Sequence, residues 1–382
     1  MSTKSSPALA STTKEMVTQS GDEAQNDVAP LVQLQPILNA RKKHGPSFRR
    51  EIFDFAYALY ISLDDNDAED RVYTGQDGYK SIILRGKLHL MDIYGVEQEV
   101  CILKAGVTNE VSGETCMSKR VWAYNDIQHL GYRYGCSMQN NLLPFQFSTQ
   151  DIPIKEESEP VAPDFDLRAA EWRAEWEASE FCRRLSTFFA EHARGATQYI
   201  DQIVCFGLGC PVSVAHLRIL RRSYVQHLAA GTIRDVIAQQ QDGHRPEVFA
   251  QDPAYTAVDS SYLSDHFNIT EIADPEGMRT LTGSSFVMTV APNIPVRQVA
   301  LDITYGDGGP VGFFCNAIDS NGLESDGQLT SDVMLYTCNS SPALWEYKQK
   351  SVSMEYDDKE EMDCFGGMGV YLKRRKQGDI TG

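Results

Sequence analysis

The sequence predicts an α/β fold: a mostly parallel sheet with helices on both faces, preceded by a small α+β region. Three observations carry the prediction. Beyond residue 195, short apolar runs rich in Val, Ile and Phe alternate with stretches at helical spacing, which is the pattern of βαβ units. Those runs lack in–out alternation, as expected of strands covered on both faces. Glycines and prolines cluster at their ends, where strands must turn sharply into helices.

In chain order, residues 1–44 are rich in Ser, Thr, Gln and Ala, show no sustained period, and read as a disordered leader. Arg41, Lys42 and Lys43, with Arg49 and Arg50 just beyond, read as a solvated helix entry, a nuclear import signal being the other reading. Residues 45–150 read as an α+β extension, with a helix over FDFAYALYISL and strands over KSIILRGKLHLMDIY and QEVCILKAG. The segment RVYTGQDGYKS has two glycines and a lysine but not the spacing of a phosphate loop. Residues 151–165 are acidic and proline-rich and read as a linker.

The main domain then spans 166–382. A helix is expected over 167–194, capped by Asp164 or Asp166 and stopped by Gly195, with Trp172, Trp176, Phe181, Leu185, Phe188 and Phe189 on its apolar side. A buried strand follows over IDQIVCFGLG, then a helix over 212–240. PEVFAQDP, NITEI, SSFVMTVAP, GFFCNAI, VMLYTC and MGVYLKRR read as further strands. YTAVDSSYLSDHF, PVRQVALDIT and SPALWEYKQK read as helices. The acidic run Glu355–Asp363 reads as a solvated loop, or else a partner patch.

Composition narrows the function classes. The 382 residues carry 35 basic and 53 acidic side chains, a net charge of −18. That field repels a polyanion, so nucleic acid is not expected as a ligand. No window approaches a membrane span of about 20 apolar residues, and the first twenty residues lack a signal-peptide core. Nine cysteines at irregular spacing, with no CxxC, fit a reducing cytoplasm or nucleus and no metal site.

In an open parallel sheet, ligands bind outside the carboxyl ends of the strands, where the strand order reverses. Three segments should meet there. In Cys205-Phe206-Gly207-Leu208-Gly209-Cys210-Pro211 the glycines permit a sharp turn and close approach of a ligand. In Gln251-Asp252-Pro253 the acid can accept from ribose hydroxyls. Ala291-Pro292-Asn293-Ile294-Pro295 is a rigid loop with one side-chain amide. Gly207, Gly209, Asp252 and Asn293 are therefore the candidate binding residues, for a nucleotide or an S-adenosyl-type ligand.

The dinucleotide fingerprint is incomplete. Its third glycine position holds Val212, and Asp252 lies 43 residues after Gly209 rather than the usual separation of roughly 20. A purely structural tight turn, a nucleotide or adenosyl site, and hydride chemistry all remain open at this point. The eight histidines are scattered, His216, His227 and His266 falling on expected helices, where a lone histidine is ordinarily surface or satisfied core. Cys210 beside a helix start is either an activated thiolate or a small turn-filling residue. Asp252, Asp259, Asp265 and Asp274 show no pairing pattern for acid–base work.

The ordered set of four pieces resembles the sensitivity-to-red-light-reduced, or SRR-like domain, family over about 195–305. They are Val204–Gly209, Gln226-His227-Leu228-Ala229, Asp252-Pro253 with Tyr255, and the apolar strand into Pro292 and Pro295. Asn293 stands where plant and animal members tend to have histidine, so a catalytic role of that histidine would not carry over. The leader and inserted loops resemble fungal members. The resemblance implies a Rossmann-like fold and a regulatory role: plant members act in phytochrome signalling and circadian rhythm, and others are linked to haem regulation or to cytoskeletal and proteasome-related phenotypes. It brings no settled reaction. The expectation is an intracellular regulatory or interaction protein with unidentified protein partners. An adenosyl-cofactor-dependent transferase is the alternative.

Overall fold

The computed structural model describes residues 32–63, 69–74, 80–85, 89–100, 102–103, 108–111, 114–135, 142–153, 163–213, 217–320, 328–329, 340–356 and 363–375. The expected strand over 333–338 and most of the acidic run and linker lie outside them. The chain opens with β1 (Val32–Gln33), α1 (Leu34–His44) and α2 (Arg50–Ser62). Short strands follow: β2 (Glu69–Thr74), β3 (Lys80–Arg85), β4 (His89–Met91), β5 (Glu97–Glu99), β6 (Ile102–Leu103) and β7 (Thr108–Val111). The longer β8 (Glu114–Tyr124) and β9 (Phe145–Pro153) pair antiparallel, with α3 (Ile127–Gly135) between them.

Helices α4 (Phe165–Ala178) and α5 (Glu180–His192) lead into β10 (Gln202–Phe206), α6 (Leu217–Gln240) and β11 (Glu247–Gln251). Then come α7 (Ala257–Tyr262), β12 (Thr270–Glu271), α8 (Glu276–Thr280), β13 (Ser285–Thr289), α9 (Val296–Ile303) and β14 (Gly312–Asn316). The chain ends with β15 (Gln328–Leu329), α10 (Pro342–Gln349), β16 (Ser351–Tyr356) and β17 (Met368–Lys373). The main sheet runs β12-β11-β10-β13-β14-β17-β16. Its first five strands are parallel, and β17 is antiparallel to both its neighbours. This is the expected Rossmann-like arrangement, with β10 between two parallel partners. Every residue of β13, and Ile203 to Phe206 of β10, is buried, which is why their sequences show no alternation.

Each face of the sheet has its own core. Ile203, Cys205, Phe286, Met288 and Phe314 point into a core shared with α4, α5 and α6. Val204, Phe206, Val287 and Phe313 point into a second core, shared with α8, α9 and α10. Phe48, Phe53, Trp122 and Phe145 belong to that second core too, so the 45–150 region is joined to the sheet domain by common packing. α9 is buried all round, and two of its polar residues, Gln298 and Asp302, meet partners from the N-terminal region. Gln298 Oε1 accepts from the Ile127 amide (3.3 Å), and Asp302 pairs with Arg41 (2.6 Å) and accepts from the Phe48 amide (3.2 Å).

Several expectations change. Of the leader expected over 1–44, residues 34–44 form α1. Leu34, Ile37 and Ala40 are buried against Ile93, Ile127, Leu130 and Leu142. Three apolar residues are too few for a visible period, and their partners are remote in sequence. The basic cluster acts in part as a set of tethers: besides Arg41, Arg49 Nη1 donates to the His44 carbonyl (2.6 Å) and Arg50 Nη2 to the Leu281 carbonyl (2.5 Å). The helix expected over 167–194 is two helices, because the Ser179 hydroxyl accepts from the Cys182 amide (3.1 Å) and starts a new helix there. The helix expected over 255–267 ends its α-helical part at Tyr262 and widens into a π turn over Leu263–Phe267 before left-handed Asn268. β16 is a strand that the sequence pattern did not mark, an antiparallel edge strand with Ser353 and Glu355 exposed. Among the described residues, no helix is long and apolar enough to cross a membrane.

Breaking a buried ion pair from one side leaves the other charge unanswered. Arg41→Ala should therefore destabilise the protein by about 3 kcal/mol, read by urea denaturation. A loss below about 0.5 kcal/mol would show that the Phe48 amide suffices for Asp302.

Candidate functional site

The chain leaves β10 for β11 and β12 on one side, then returns to β13 on the other, so the strand order reverses between β10 and β13. Phe206 and Thr289 are opposite each other in the last rung of those strands, and Phe206 is opposite Gln251 on the β11 side. Gly207, Asp252 and the 290–293 loop consequently leave the sheet at one edge. α6, at 24 residues, accounts for the long separation of Gly209 from Asp252: the acid stands at the end of the second strand, as in a dinucleotide fold, but after a longer helix.

The expected turn geometry is present. Gly207 and Gly209 have φ of 70° and 73°, a region open to glycine and strained for other residues. Gly207 is exposed and its N–H donates to the Gln251 carbonyl (3.0 Å). Asp252 is brought directly to the turn: Oδ2 accepts from the Gly209 amide (2.7 Å) and Oδ1 from the Ala254 amide (2.9 Å). Burial raises its carboxyl above the ordinary value, against the opposing pull of those two amides. Asn293 is exposed in the loop after β13, close in sequence to Pro292, which packs by Gly207. The structure thus brings together Gly207, Gly209 and Asp252, with Asn293 on the neighbouring loop.

Sequence reasoning missed the residue that organises the turn. Asp259 has no exposed surface. Its Oδ1 accepts from the Val212 and Ser213 amides (3.1 and 3.2 Å). Its Oδ2 accepts from the Thr256 amide (3.0 Å), the Thr256 hydroxyl (2.8 Å) and the Ser213 hydroxyl. Burial alone would raise this carboxyl, but the donors from Ser213, Thr256 and Val212 outweigh it and hold it below the ordinary value. The available signal was Thr256-x-x-Asp259, a capping-box spacing for α7.

The nearby nucleophile and base candidates are satisfied by their surroundings. Burial pushes the Cys210 thiol up to about 12, and its Sγ donates to the Ala254 carbonyl (2.9 Å), so it is a turn-filling thiol and not a thiolate. His227 is fully buried, and burial pulls its imidazole down to about 4. Its Nδ1 lies 2.7 Å from the Ser223 carbonyl, which can only accept, so Nδ1 carries the proton. Nε2 then accepts from the Tyr255 hydroxyl (2.9 Å). This bond joins the helical piece of the family pattern to the piece after β11. The neighbouring Gln226 Nε2 donates to the Cys364 carbonyl (2.6 Å) ahead of β17.

A histidine held neutral inside the fold makes stability depend on pH. The unfolded chain takes up a proton near 6.5 while the folded one resists to about 4. Stability is therefore fully present above about pH 6.5 and falls as the pH drops towards 4, by up to roughly 3 kcal/mol. Thermal melts from pH 7.5 to 4.5 should show this fall, with a shallower slope in His227→Gln. Equal slopes would assign the effect elsewhere.

Two surface cavities lie away from this edge. One, about 370 Å³, runs between α4 and α7 and is lined by Asp166, Arg173, Glu177 and Tyr262. The other, about 210 Å³, is lined by Arg194, Tyr199, Asp242 and Arg375. Neither includes a residue of the glycine turn, so the candidate site rests on topology and not on concavity. Among the described residues, no three His, Cys, Asp or Glu side chains are grouped to hold a metal ion.

The family model for the SRR1 domain matches residues 181–371, from the start of α5 into β17 and half of the chain. No curated protein matches it. The matched span takes in the whole parallel sheet, both glycines of the turn, Asp252, and the His227–Tyr255 bond, and the chain belongs to the SRR1 domain family.

Proposed function

We propose that this protein is a regulatory SRR1-domain protein that binds a nucleoside- or nucleotide-type metabolite at the glycine turn and acts through protein partners. The observation that carries the reading is one juxtaposition. Exposed Gly207, with positive φ, leaves the sheet where the strand order reverses, and Asp252 ends the adjacent strand. Each Asp252 oxygen accepts one amide and keeps a second lone pair for a ribose hydroxyl. A regulatory role is favoured over catalysis because the thiol and imidazole near the turn are buried and partnered. Residence in the cytoplasm or nucleus is supported by Cys182, Cys205 and Cys210, which are buried free thiols.

The second reading is a transferase using an adenosyl cofactor at the same turn, favoured by the position of Asp252 at the end of the second strand. A thermal-shift series of the full chain with nucleosides, nucleotides and S-adenosyl compounds tests the shared site. A ligand at a hundred times its Kd adds about 2.7 kcal/mol of stability. At least one compound should raise Tm, and Asp252→Asn should remove most of that rise. A rise unchanged in a stably folded Asp252→Asn protein would place the ligand elsewhere. Turnover of an S-adenosyl compound would favour the transferase.

A further inference from the structure

Three amides of the glycine turn and of the segment just after it are already answered by carboxylates of the chain. The Gly209 amide donates to Asp252, and the Val212 and Ser213 amides donate to Asp259, joined by the Ser213 hydroxyl. In a strand–turn–helix that cradles a phosphate, amides in this position point at the anion and receive it. Here two carboxylates stand in its place. An incoming phosphate would find these donors occupied and two like charges beside it. Ribose hydroxyls meet the opposite situation, because they can donate to the remaining lone pairs of Asp252.

A second observation lies just beneath the turn. Thr289, the last residue of β13, is completely buried, and its hydroxyl has no hydrogen-bond partner among the described residues. It stands opposite Phe206 in the rung directly below Gly207, at the reversal of strand order. Buried hydroxyls in folded proteins are nearly always partnered, so an unpartnered one at the strand end beside the reversal points to a group that arrives with the ligand.

We infer that the ligand class accepted here is a nucleoside without phosphate, its ribose diol on Asp252 and its 5′ substituent neutral or cationic, as in an S-adenosyl sulfonium. The inference rests on the binding reading proposed above and sharpens it. Isothermal titration of the full chain with adenosine, S-adenosylmethionine, S-adenosylhomocysteine, ADP, ATP and NAD, at one ionic strength, tests it. The phosphate-free compounds should bind, and ADP, ATP and NAD should bind at least about tenfold more weakly than adenosine. ADP binding as tightly as adenosine overturns the inference and leaves the site itself standing. Silence from all the compounds overturns the site and the inference together. Asp252→Asn removes one charge at nearly constant shape, and the preference for adenosine over ADP should shrink at least about threefold. An unchanged preference would also overturn the inference, and if the variant binds nothing the wild-type series decides.

Discussion

Asp259→Ala should lower the stability of the protein by about 4 kcal/mol, which is the largest single-residue effect expected at the turn. The carboxylate collects five donors from three residues, and two of those residues, Val212 and Ser213, belong to the segment that leads from β10 to α6. Truncation to alanine leaves the Val212 and Thr256 amides facing a void instead of water, and each orphaned buried donor costs about 1–3 kcal/mol. The capping box that starts α7 is lost as well. Asp259→Asn should fall between, since its amide keeps one acceptor oxygen but turns an NH2 towards donors that need an acceptor. Urea denaturation of the three proteins checks this. A loss under about 1 kcal/mol for the alanine variant would mean that the turn is held by other contacts.

Gly209→Val should destabilise by about 3 kcal/mol, combining a positive φ that a β-branched residue resists with a Cβ that would overlap the Ser223 hydroxyl. Ser223 is buried in α6, which leaves its hydroxyl little room to turn aside. In a chain of 382 residues that corresponds to a fall in Tm of roughly 4 °C. Asp252→Asn should cost much less, since an amide oxygen can still accept from one of the two backbone donors. The pair separates geometry from chemistry. Gly209→Val should lose stability and ligand together, whereas Asp252→Asn should weaken ligand binding at nearly unchanged Tm. A valine variant with wild-type Tm would show that the turn can relax out of its left-handed conformation.

The turn also shows why a site can be located in a sequence and still be misjudged there. The spacing of Asp252 from Gly209 departs from the dinucleotide fingerprint, because the usual interval assumes a short first helix. With a 24-residue α6 the same residue still ends the second strand. Conversely, Cys210 beside a helix start suggested an activated thiol, and burial reverses that expectation. His227 was read as a lone helical histidine, ordinarily surface or satisfied core, and it is satisfied core.

What the sequence by itself determined is the part of the structure written in local pattern. Continuous apolar runs marked β10 and β13 as strands buried on both faces, the alternation with helical stretches dictated a parallel sheet, and Gly207, Asp252 and Pro292 marked three strand ends. These features depend on backbone geometry and burial over five to ten residues, which a one-dimensional reading captures. The tertiary structure alone decided the pairings across long separations. Asp259 reaches Val212 across 47 residues, and Arg41 reaches Asp302 across 261, turning part of an expected leader into a packed helix. The Thr289 hydroxyl was left without a partner among the described residues by the same process. A carboxylate's role depends on which donors the finished fold places around it, and no spacing along the chain encodes that, because the donors come from segments made neighbours only by the order of the strands.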